Sequence, residues 1–488
     1  MTTPSRKANN LVEQNPYESP NEGVDTREPS SHVPPTSIRY LVIVLGMAMS
    51  VLLYLDRFAL SPATDSILRE LHLTKEEFGR THFAFFFAYA LLQVPAGWLS
   101  DRFGARGTLA LYVVGWSAAT VCLGFAGGLT AILLLRLALG ATQAGAYPAA
   151  ASLLKRWIPR TARGRANTCV AMGGRAGGLI AFFCTPLLML LAGQWLGWET
   201  GRWRAVFVFY GSLGFLWAAA FWYLYRDRPQ WHPWCNAAEA NLIGQGQPAG
   251  PPPSQQRPRL RALAESPEVW LVCGCNCAVN LGWIFLATWL PQYLVESHGN
   301  ELSEIMSQFY AKYWPQYRPE SLVSPGGEKM AVAGVMTALT GLTGIFGGLI
   351  GGASTDLLVR RFGLAWGRRI PGLCAGGIVC GLYLVASQLH DVWLFVGSMV
   401  LISFTIEFGL GASWAIYQDI AGRHVASVLG IGNMCGNLAA GIFAWLIGVL
   451  AEKGNWQTVF YISAIAMAMN SVCWYFFDAS RKIWREAD

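Results

Sequence analysis

Long apolar runs recur along this chain, and short polar segments separate them. A transmembrane α-helix needs roughly 20 apolar residues, because each residue advances about 1.5 Å through a hydrocarbon core about 30 Å thick. Twelve such runs follow residue 37, and their predicted spans are 38–60, 78–99, 107–127, 129–152, 165–191, 204–225, 268–294, 330–357, 369–388, 392–418, 423–450 and 456–477. The pattern predicts an all-α membrane protein with twelve transmembrane helices. Pro148, Pro186 and Pro291 predict kinks within them.

The twelve runs form two sets of six, divided by a segment rich in Pro, Gln and Arg that is typical of a flexible linker. The polar residues before the first run lack the apolar core of a cleavable signal peptide, so that run is expected to be the first transmembrane helix. The predicted organisation is a disordered tail at 1–37, a six-helix bundle at 38–225, a linker at 226–266, a second six-helix bundle at 267–478 and a tail at 479–488.

Composition supports a chain embedded in lipid. Hydrophobic residues make up 53% and charged residues 13% of the sequence, about half the charged share of roughly 25% in soluble domains. Such a composition argues against a soluble enzyme, and the many aromatic residues argue against a disordered protein. The net charge of +7 resides in short loops, which indicates membrane topology rather than nucleic-acid binding.

Basic residues in the loops predict the orientation. They concentrate in loops on the side of the N-terminus: Lys155, Arg156, Arg160, Arg163, Arg165, Arg360, Arg361, Arg368, Arg369, Arg481, Lys482 and Arg485. By the positive-inside rule, both termini and the linker are expected in the cytoplasm, with the chain crossing the inner membrane many times. Residues 295–329 then form a long outer loop, either a lid or a plain insertion.

Two loops on the basic side carry the same pattern. The segment GWLSDRFGAR at 97–106 follows the second run, and GGASTD at 351–356 with its trailing arginines follows the eighth. Glycine lets two helices approach, the aspartate can cap the next helix, and the arginines can pair across the loop. The repeat predicts gating loops, with the residues Gly97, Asp101, Arg102, Arg106, Asp356, Arg360 and Arg361.

These loops resemble the signature loop of the major facilitator superfamily, and the resemblance extends from about Arg39 to Arg481. Other segments are similar to the anion:cation symporter family: YLDR at 54–57, YALLQVPAGW at 89–98, RLALG at 136–140, the run 411–423 and GNMCGN at 432–437. The resemblance implies two bundles that rock about a central cavity. It implies an anion carrier, since that family transports hexuronates, aldonates such as galactonate, glucarate, other carboxylates and phosphate, and includes sialin and the vesicular glutamate transporters.

Arg57 lies deep in the first apolar run, where an isolated charge costs at least ~2.5–3.5 kcal/mol. A guanidinium stays charged and offers a planar fork to a carboxylate or phosphate. We therefore expect Arg57 to bind an anionic substrate, and the resemblance implies the same. The alternative is a structural ion pair with Asp56 or another acid.

Proton coupling is expected at Asp56, with Glu407 and His82 as further candidates. Asp56 could instead form a permanent clamp with an arginine, and Glu407 could pair with Arg136 or Arg175 or face water at a helix end. His82 could equally be a structural histidine. At the position of Gln143 many members of the family carry a glutamate implicated in proton coupling, and glutamine cannot titrate.

The remaining predicted substrate contacts are aromatic, amide and basic side chains: Tyr54, Tyr89, Trp283, Trp414, Asn433, Asn437, Arg136 and Gln143. Arg136 and Gln143 are seven residues apart and share one helix face. The asparagines are one turn apart and could bind hydroxyl groups or bond between helices. Arg175, among four glycines, could pair with an acid, line the cavity or contact a phosphate.

The sequence thus predicts a monomeric secondary transporter of a small organic anion, driven by protons across a lipid bilayer. No metal ligand set, cofactor motif or catalytic constellation can be recognised, so an enzyme is not expected. An anion exchanger without proton coupling is the first alternative, which Gln143 favours. A membrane sensor that binds without transport is the second.

Overall fold

The structure is a computed structural model, and it describes residues 34–159, 162–196, 201–244, 263, 265–313, 327–421, 425–481 and 483. No strand occurs in this part of the chain. The first half contains nine α-helices in its described part: α1 Ile38–Phe58, α2 Thr64–Leu71, α3 Lys75–Phe103, α4 Ala105–Leu123, α5 Leu129–Gln143, α6 Ala146–Trp157, α7 Arg163–Leu196, α8 Arg202–Leu224 and α9 Ala237–Gly244. Those of the second half are α10 Pro267–Thr288, α11 Leu290–Ser297, α12 Gly299–Tyr313, α13 Gly327–Ala386, α14 Val392–Ala421, α15 Val425–Glu452 and α16 Trp456–Phe476.

Eleven stretches of the described chain are long and apolar enough to cross a membrane. One of them, Lys329–Ala386, has 58 residues, and a straight helix of that length would measure about 87 Å at 1.5 Å per residue. It is interrupted at Gly363, whose φ of 76° and ψ of 174° are not helical. Because the break divides this stretch into two spans, the predicted all-α class with twelve transmembrane helices is confirmed.

The fourth predicted span is two helices, α5 and α6, rather than one. Pro148 has no N–H, so the carbonyl of Ala144 lacks its helical donor at the break. Gly145 is required there, because a Cβ at this position would lie 2.1 Å from the ring of Tyr112. The seventh span divides in the same way before Pro291. Pro186, by contrast, lies inside α7.

Within the predicted outer loop at 295–329, residues 299–313 form helix α12. Leu302 on this helix is buried, and Glu301 accepts a 2.9 Å hydrogen bond from the backbone N–H of Val392 at the start of α14. The mixture of polar and aromatic residues concealed a short amphipathic helix that packs on its neighbour. Residues 314–326 lie outside the described chain.

Part of the predicted linker, α9, is attached to the start of α1. Glu239 is fully buried, and its carboxylate accepts hydrogen bonds from the backbone N–H groups of Ile38 at 3.2 Å and Arg39 at 3.0 Å. The hydroxyl of Thr36 and the guanidinium of Arg39 donate to the same carboxylate. A carboxylate in this position supplies acceptors for the unpaired donors of the first helical turn.

We expect Glu239→Ala to lower the thermal stability of the purified protein. Several donors at the start of α1 would lose their acceptor, at a cost of about 1–3 kcal/mol. Thermal unfolding in detergent measures this. Glu76→Ala is a matched control, because Glu76 is a partly exposed glutamate that pairs with Arg80 on its own helix. Equal melting temperatures for the two variants would contradict the capping role.

The two halves meet at the end of the bundle where α1 ends, here called the top; the opposite end, where α1 begins, is called the base. Across the two halves, α3 packs along α15, and α7 packs along α13. Ser61 donates a 2.6 Å hydrogen bond to the carbonyl of Thr288. Lys75 forms a 2.8 Å ion pair with Glu296, and its backbone N–H donates to Glu452 at 2.6 Å.

At the base, the ion pairs of the described residues stay within one half. Arg156 pairs with Asp227 at 3.0 Å in the first half, and Arg368 pairs with Asp419 at 2.9 Å in the second. The halves are therefore bridged at the top, and these ion pairs do not bridge them at the base.

Candidate functional site

Arg57 lies in the last turn of α1, with 7% of its surface exposed. Three aromatic rings surround its guanidinium carbon, at centroid distances of 5.0 Å for Tyr54, 5.0 Å for Phe85 and 4.5 Å for Tyr89. Aromatic faces stabilise a cation without neutralising it. The Nη2 atom is buried and has no hydrogen-bond partner. The site therefore keeps a charged donor available for an anion.

Gln143 holds Arg57 in this position. Its Oε1 accepts a 3.2 Å hydrogen bond from Nε of Arg57, and its Nε2 donates to the carbonyl of Leu53 at 3.1 Å. Both ends of the amide are thus used within α1. An amide has one accepting and one donating end, so glutamine can orient the guanidinium without compensating its charge.

Arg136 is only 1% exposed, and its donors point to protein atoms. Its guanidinium lies within 3.3 Å of the carbonyl of Thr81 and 3.5 Å of the carbonyl of Arg57. A third contact, at 3.5 Å, is to Nδ1 of His82. Because arginine has no acceptor, this contact requires a neutral His82 with its proton on Nε2. The structure places Arg136 behind Arg57 rather than beside open space, and its part in substrate binding stays a prediction.

His82 lies in the seam between the halves. Its ring packs against Phe78 at 5.3 Å and, across the seam, against Trp289 at 6.1 Å. The Nε2 atom is buried without a partner. The role of His82 in proton coupling stays a prediction.

Asp56 precedes Arg57 on α1, and adjacent residues point about 100° apart around a helix. It is 1% exposed, and neither carboxylate oxygen has a hydrogen-bond partner. The indole N–H of Trp116 on α4 is likewise buried without a partner. No ion pair joins Asp56 to Arg57 among the described side chains. The alternative of a permanent Asp–Arg clamp therefore does not describe this structure.

Glu407 forms an ion pair with Arg175, between α14 of the second half and α7 of the first. The side chain of Glu407 is 6% exposed, whereas that of Arg175 is 32% exposed. Pairing with Arg175 was one alternative for Glu407, and pairing with an acid was one alternative for Arg175. The structure shows both, because the two side chains pair with each other. The pair lies near the middle of both helices, far from the ion pairs at the top.

Three of the four predicted aromatic residues have described ring contacts. Tyr54 packs edge-on against Tyr147 at 6.5 Å, and Tyr89 stacks on Phe85 at 5.8 Å. Trp283 packs edge-on against Phe58 at 5.6 Å, which is a contact between the halves. The side chain of Trp414 lies outside the described ones.

Amide side chains gather in the second half. Asn437 donates to the carbonyl of Asn433 at 2.8 Å, and both are partly exposed. Asn276 on α10 donates to the hydroxyl of Tyr417, and Asn280 donates to the carbonyl of Asn276 at 2.9 Å. Asn276 and Tyr417 were not predicted, although asparagines four residues apart in an apolar run are a signal that could have found Asn276.

The predicted gating loops are only partly as expected. The start of α4 is capped by Asp227, which accepts from the backbone N–H groups of Ala105 and Arg106 at 3.2 Å each. Capping by Asp101 was the expectation, and its side chain lies outside the described ones. Asp227 comes from 122 residues further along the chain, so local sequence could not reveal it.

The basic residues of these loops differ in their contacts. Arg106 donates to the carbonyl of Trp222, while Arg102 lies over the ring of Trp98 at 5.3 Å. Asp356 is 4.0 Å from Arg368. Arg360 and Arg361 are exposed, and Gly97 packs against Pro148.

Comparison with known proteins relates the chain to transporters. The profile described as Major Facilitator Superfamily matches residues 46–312 and 321–488. The chain is 26% identical to the "Probable sulfoacetate transporter SauU" of Cupriavidus necator, over 90% of this chain and 94% of that protein. It is 28% identical to the "D-galactonate transporter" of Escherichia coli, over 90% and 95%, and 28% identical to the "Probable galactarate/D-glucarate transporter GudP" of Bacillus subtilis, over 86% of each.

Solved structures share the fold. A bacterial homologue of the human lysosomal transporter Spinster, inward-facing and unoccupied, superposes with a TM-score of 0.69 at 20% identity, over 92% of this chain and 99% of that one. A D-xylose-proton symporter superposes with a TM-score of 0.63 at 13% identity, over 91% and 98%. At these identities the likeness concerns the fold alone.

Proposed function

The chain belongs to the major facilitator superfamily, and from this membership we propose that it carries a small organic anion across the inner membrane by alternating access, with protons as the driving ion. The substrate class is a sugar acid or another carboxylate. The observation that carries the proposal is Arg57, a caged guanidinium with a buried Nη2 that has no partner. A carboxylate is the group that best satisfies such a fork.

Amide side chains of the second half support an acid that bears hydroxyl groups. Four amide side chains there are partly exposed: Asn276, Asn280, Asn433 and Asn437. Each amide has a donating end and an accepting end. Amides bind hydroxyls in either direction, while the first half supplies the positive charge. A polyhydroxylated acid would be bound by its carboxylate on one side and by its hydroxyls on the other. The relatives named for galactonate and for galactarate or glucarate support this class.

Proton coupling is assigned to Asp56, with Glu407 as a second acid. Asp56 is buried with two unpartnered oxygens, and a neutral carboxyl suits such a site better than a charged one. Gln143 occupies a position where many members of the anion:cation symporter family carry a glutamate. A glutamine side chain cannot take up a proton.

An exchanger of organic phosphate or carboxylates without protons is the second candidate, and Gln143 is the observation that favours it. Uptake into proteoliposomes with an imposed pH gradient separates the two functions. We expect an inside-alkaline gradient to raise accumulation of a sugar acid. An uptake that does not respond to the gradient would remove symport and leave exchange.

The base is assigned to the cytoplasm, because the basic loops lie there. Alternating access then requires the contacts at the top to open. The ion pair of Lys75 with Glu296 joins the halves at 2.8 Å, and one chain contains both halves, so a monomer is sufficient for transport.

Cross-linking the top is expected to stop transport. In the double variant Lys75→Cys/Glu296→Cys, a short reducible cross-linker should trap the closed top and reduce uptake by about tenfold or more, with recovery on reduction. The two single variants are matched controls, because the native cysteines are present in all three proteins. Full uptake by completely cross-linked protein would show that the top need not open.

A further inference from the structure

The ion pair between Arg175 and Glu407 differs from the other ion pair that joins the two halves in the described part of the chain. Lys75 and Glu296 pair at the top, with both side chains about a quarter exposed. Arg175 and Glu407 pair at mid-depth in the bundle. The acid is buried at 6% exposure, while a third of the arginine side chain remains accessible. The part of the Arg175 side chain that stays accessible is called its open face here.

Arg175 adjoins the site of Arg57 through two tyrosines. Gly174, next to it, packs so closely that a Cβ would lie 2.8 Å from both the Tyr54 ring and the Tyr147 hydroxyl. Tyr54 is also one of the rings that surround Arg57. The only hydrogen bond described for the Arg175 guanidinium is from Nη1 to Glu407. Its remaining donors have no described partner, and a third of the side chain is accessible next to the tyrosines that adjoin Arg57.

We propose that Arg175 is a second anion-binding position, so that this transporter prefers substrates with two acidic groups to those with one. This inference rests on the proposed function, because it extends the same cavity. One acidic group of the substrate binds Arg57, and the other binds the open face of Arg175. The anion at Arg175 then competes with Glu407 for the same positive charge.

Glu407 takes up a proton when the second acidic group arrives. Two carboxylates that share one guanidinium repel each other, and protonating one of them relieves the repulsion. The charged group that faces Glu407 from α7 is Arg175, and Tyr54 and Tyr147 lie within electrostatic reach of that arginine. Gly344 of α13 packs against both Glu407 and Ser403 of α14, and neither Gly344 nor Ser403 carries a charge. Binding of a diacid is therefore accompanied by proton uptake at Glu407.

Titration calorimetry of purified protein tests the preference with two matched pairs: galactarate against D-galactonate, and sulfoacetate against acetate. In whichever pair the wild type binds, it should bind the diacid at least about tenfold more tightly than the monoacid. Titration in buffers of different ionisation enthalpy measures proton uptake, which should occur with the diacid and not with the monoacid. Equal affinities for diacid and monoacid would overturn the inference.

Variants of Arg175 and Glu407 distinguish the second anion-binding position from the site at Arg57. Arg175→Gln should remove the diacid preference, and Arg175→Gln/Glu407→Gln repeats the test without leaving a buried unpaired acid. In the double variant the monoacid affinity should stay within about twofold, because Arg57 is unchanged. Glu407→Gln alone should keep the preference and lose the proton uptake.

The outcomes distinguish two failures. A diacid preference that persists in the double variant would overturn the second position and leave the proposed function standing. Failure of the wild type to bind any of the four acids, or unchanged binding in Arg57→Ala, would overturn the proposed function itself.

Discussion

Replacing Arg57 with alanine is expected to abolish transport while the protein still folds. The caged guanidinium has a buried donor with no partner, and an anion in this place would gain two charge-assisted hydrogen bonds of about 1.5–3 kcal/mol each. Their loss should weaken substrate binding by at least ~100-fold. The three aromatic rings around the cation would lose a favourable contact but no buried charge would be left unpaired, since no acid pairs with Arg57 among the described side chains.

Binding and uptake of a sugar acid by purified and reconstituted protein measure this effect. Arg57→Lys should recover part of the affinity, because it restores the charge without the planar fork. Arg80→Ala is the matched control, since Arg80 is an exposed arginine that pairs within its own helix with Glu76. Uptake by Arg57→Ala with native affinity would refute the anion-binding role, whereas a variant that does not fold would be recognised by its gel-filtration profile.

Asp56→Asn is expected to uncouple accumulation from the pH gradient without preventing substrate binding. Neither oxygen of Asp56 has a described partner, Arg57 included, so an isosteric amide should leave the anion site intact. A proton carried at Asp56 would allow about tenfold accumulation per pH unit, since one pH unit corresponds to about 1.36 kcal/mol. In the variant the accumulation ratio should fall to about one, with exchange preserved.

Uptake driven by an imposed gradient, compared with counterflow in its absence, distinguishes these two properties. Asp65→Asn is a suitable control, because Asp65 lies in the short helix α2, where it pairs with Arg69. Undiminished accumulation in Asp56→Asn would exclude Asp56 as the proton carrier. Loss of counterflow as well would instead make Asp56 necessary for the fold or for the cavity.

The helices could be predicted from sequence because burial in lipid imposes a length on each apolar run. The break at Gly363 lies between two predicted spans, 330–357 and 369–388. The break at Gly145 was predicted only as a kink at Pro148, because it depends on the nearby ring of Tyr112. Helix α12 was missed because a short amphipathic helix gains its stability from the surface on which it packs.

The sequence identified single residues of the candidate site but not the contacts between them. Arg57 and Gln143 stood out as a charge and an amide in apolar runs, and the structure places them in contact at 3.2 Å. The partner of Glu407 was one of several alternatives, because Arg175 lies 232 positions away in the sequence. Contacts between distant helices depend on how whole helices pack, and no local pattern contains that information.

Counterflow of labelled D-galactonate and galactarate in proteoliposomes tests the central claim most directly. Vesicles preloaded with unlabelled acid should show a transient accumulation of label with the wild type and none with Arg57→Ala. If the wild type showed no such accumulation with these acids or with sulfoacetate, or if Arg57→Ala matched it, the proposed transport of an organic anion bound at Arg57 would be contradicted.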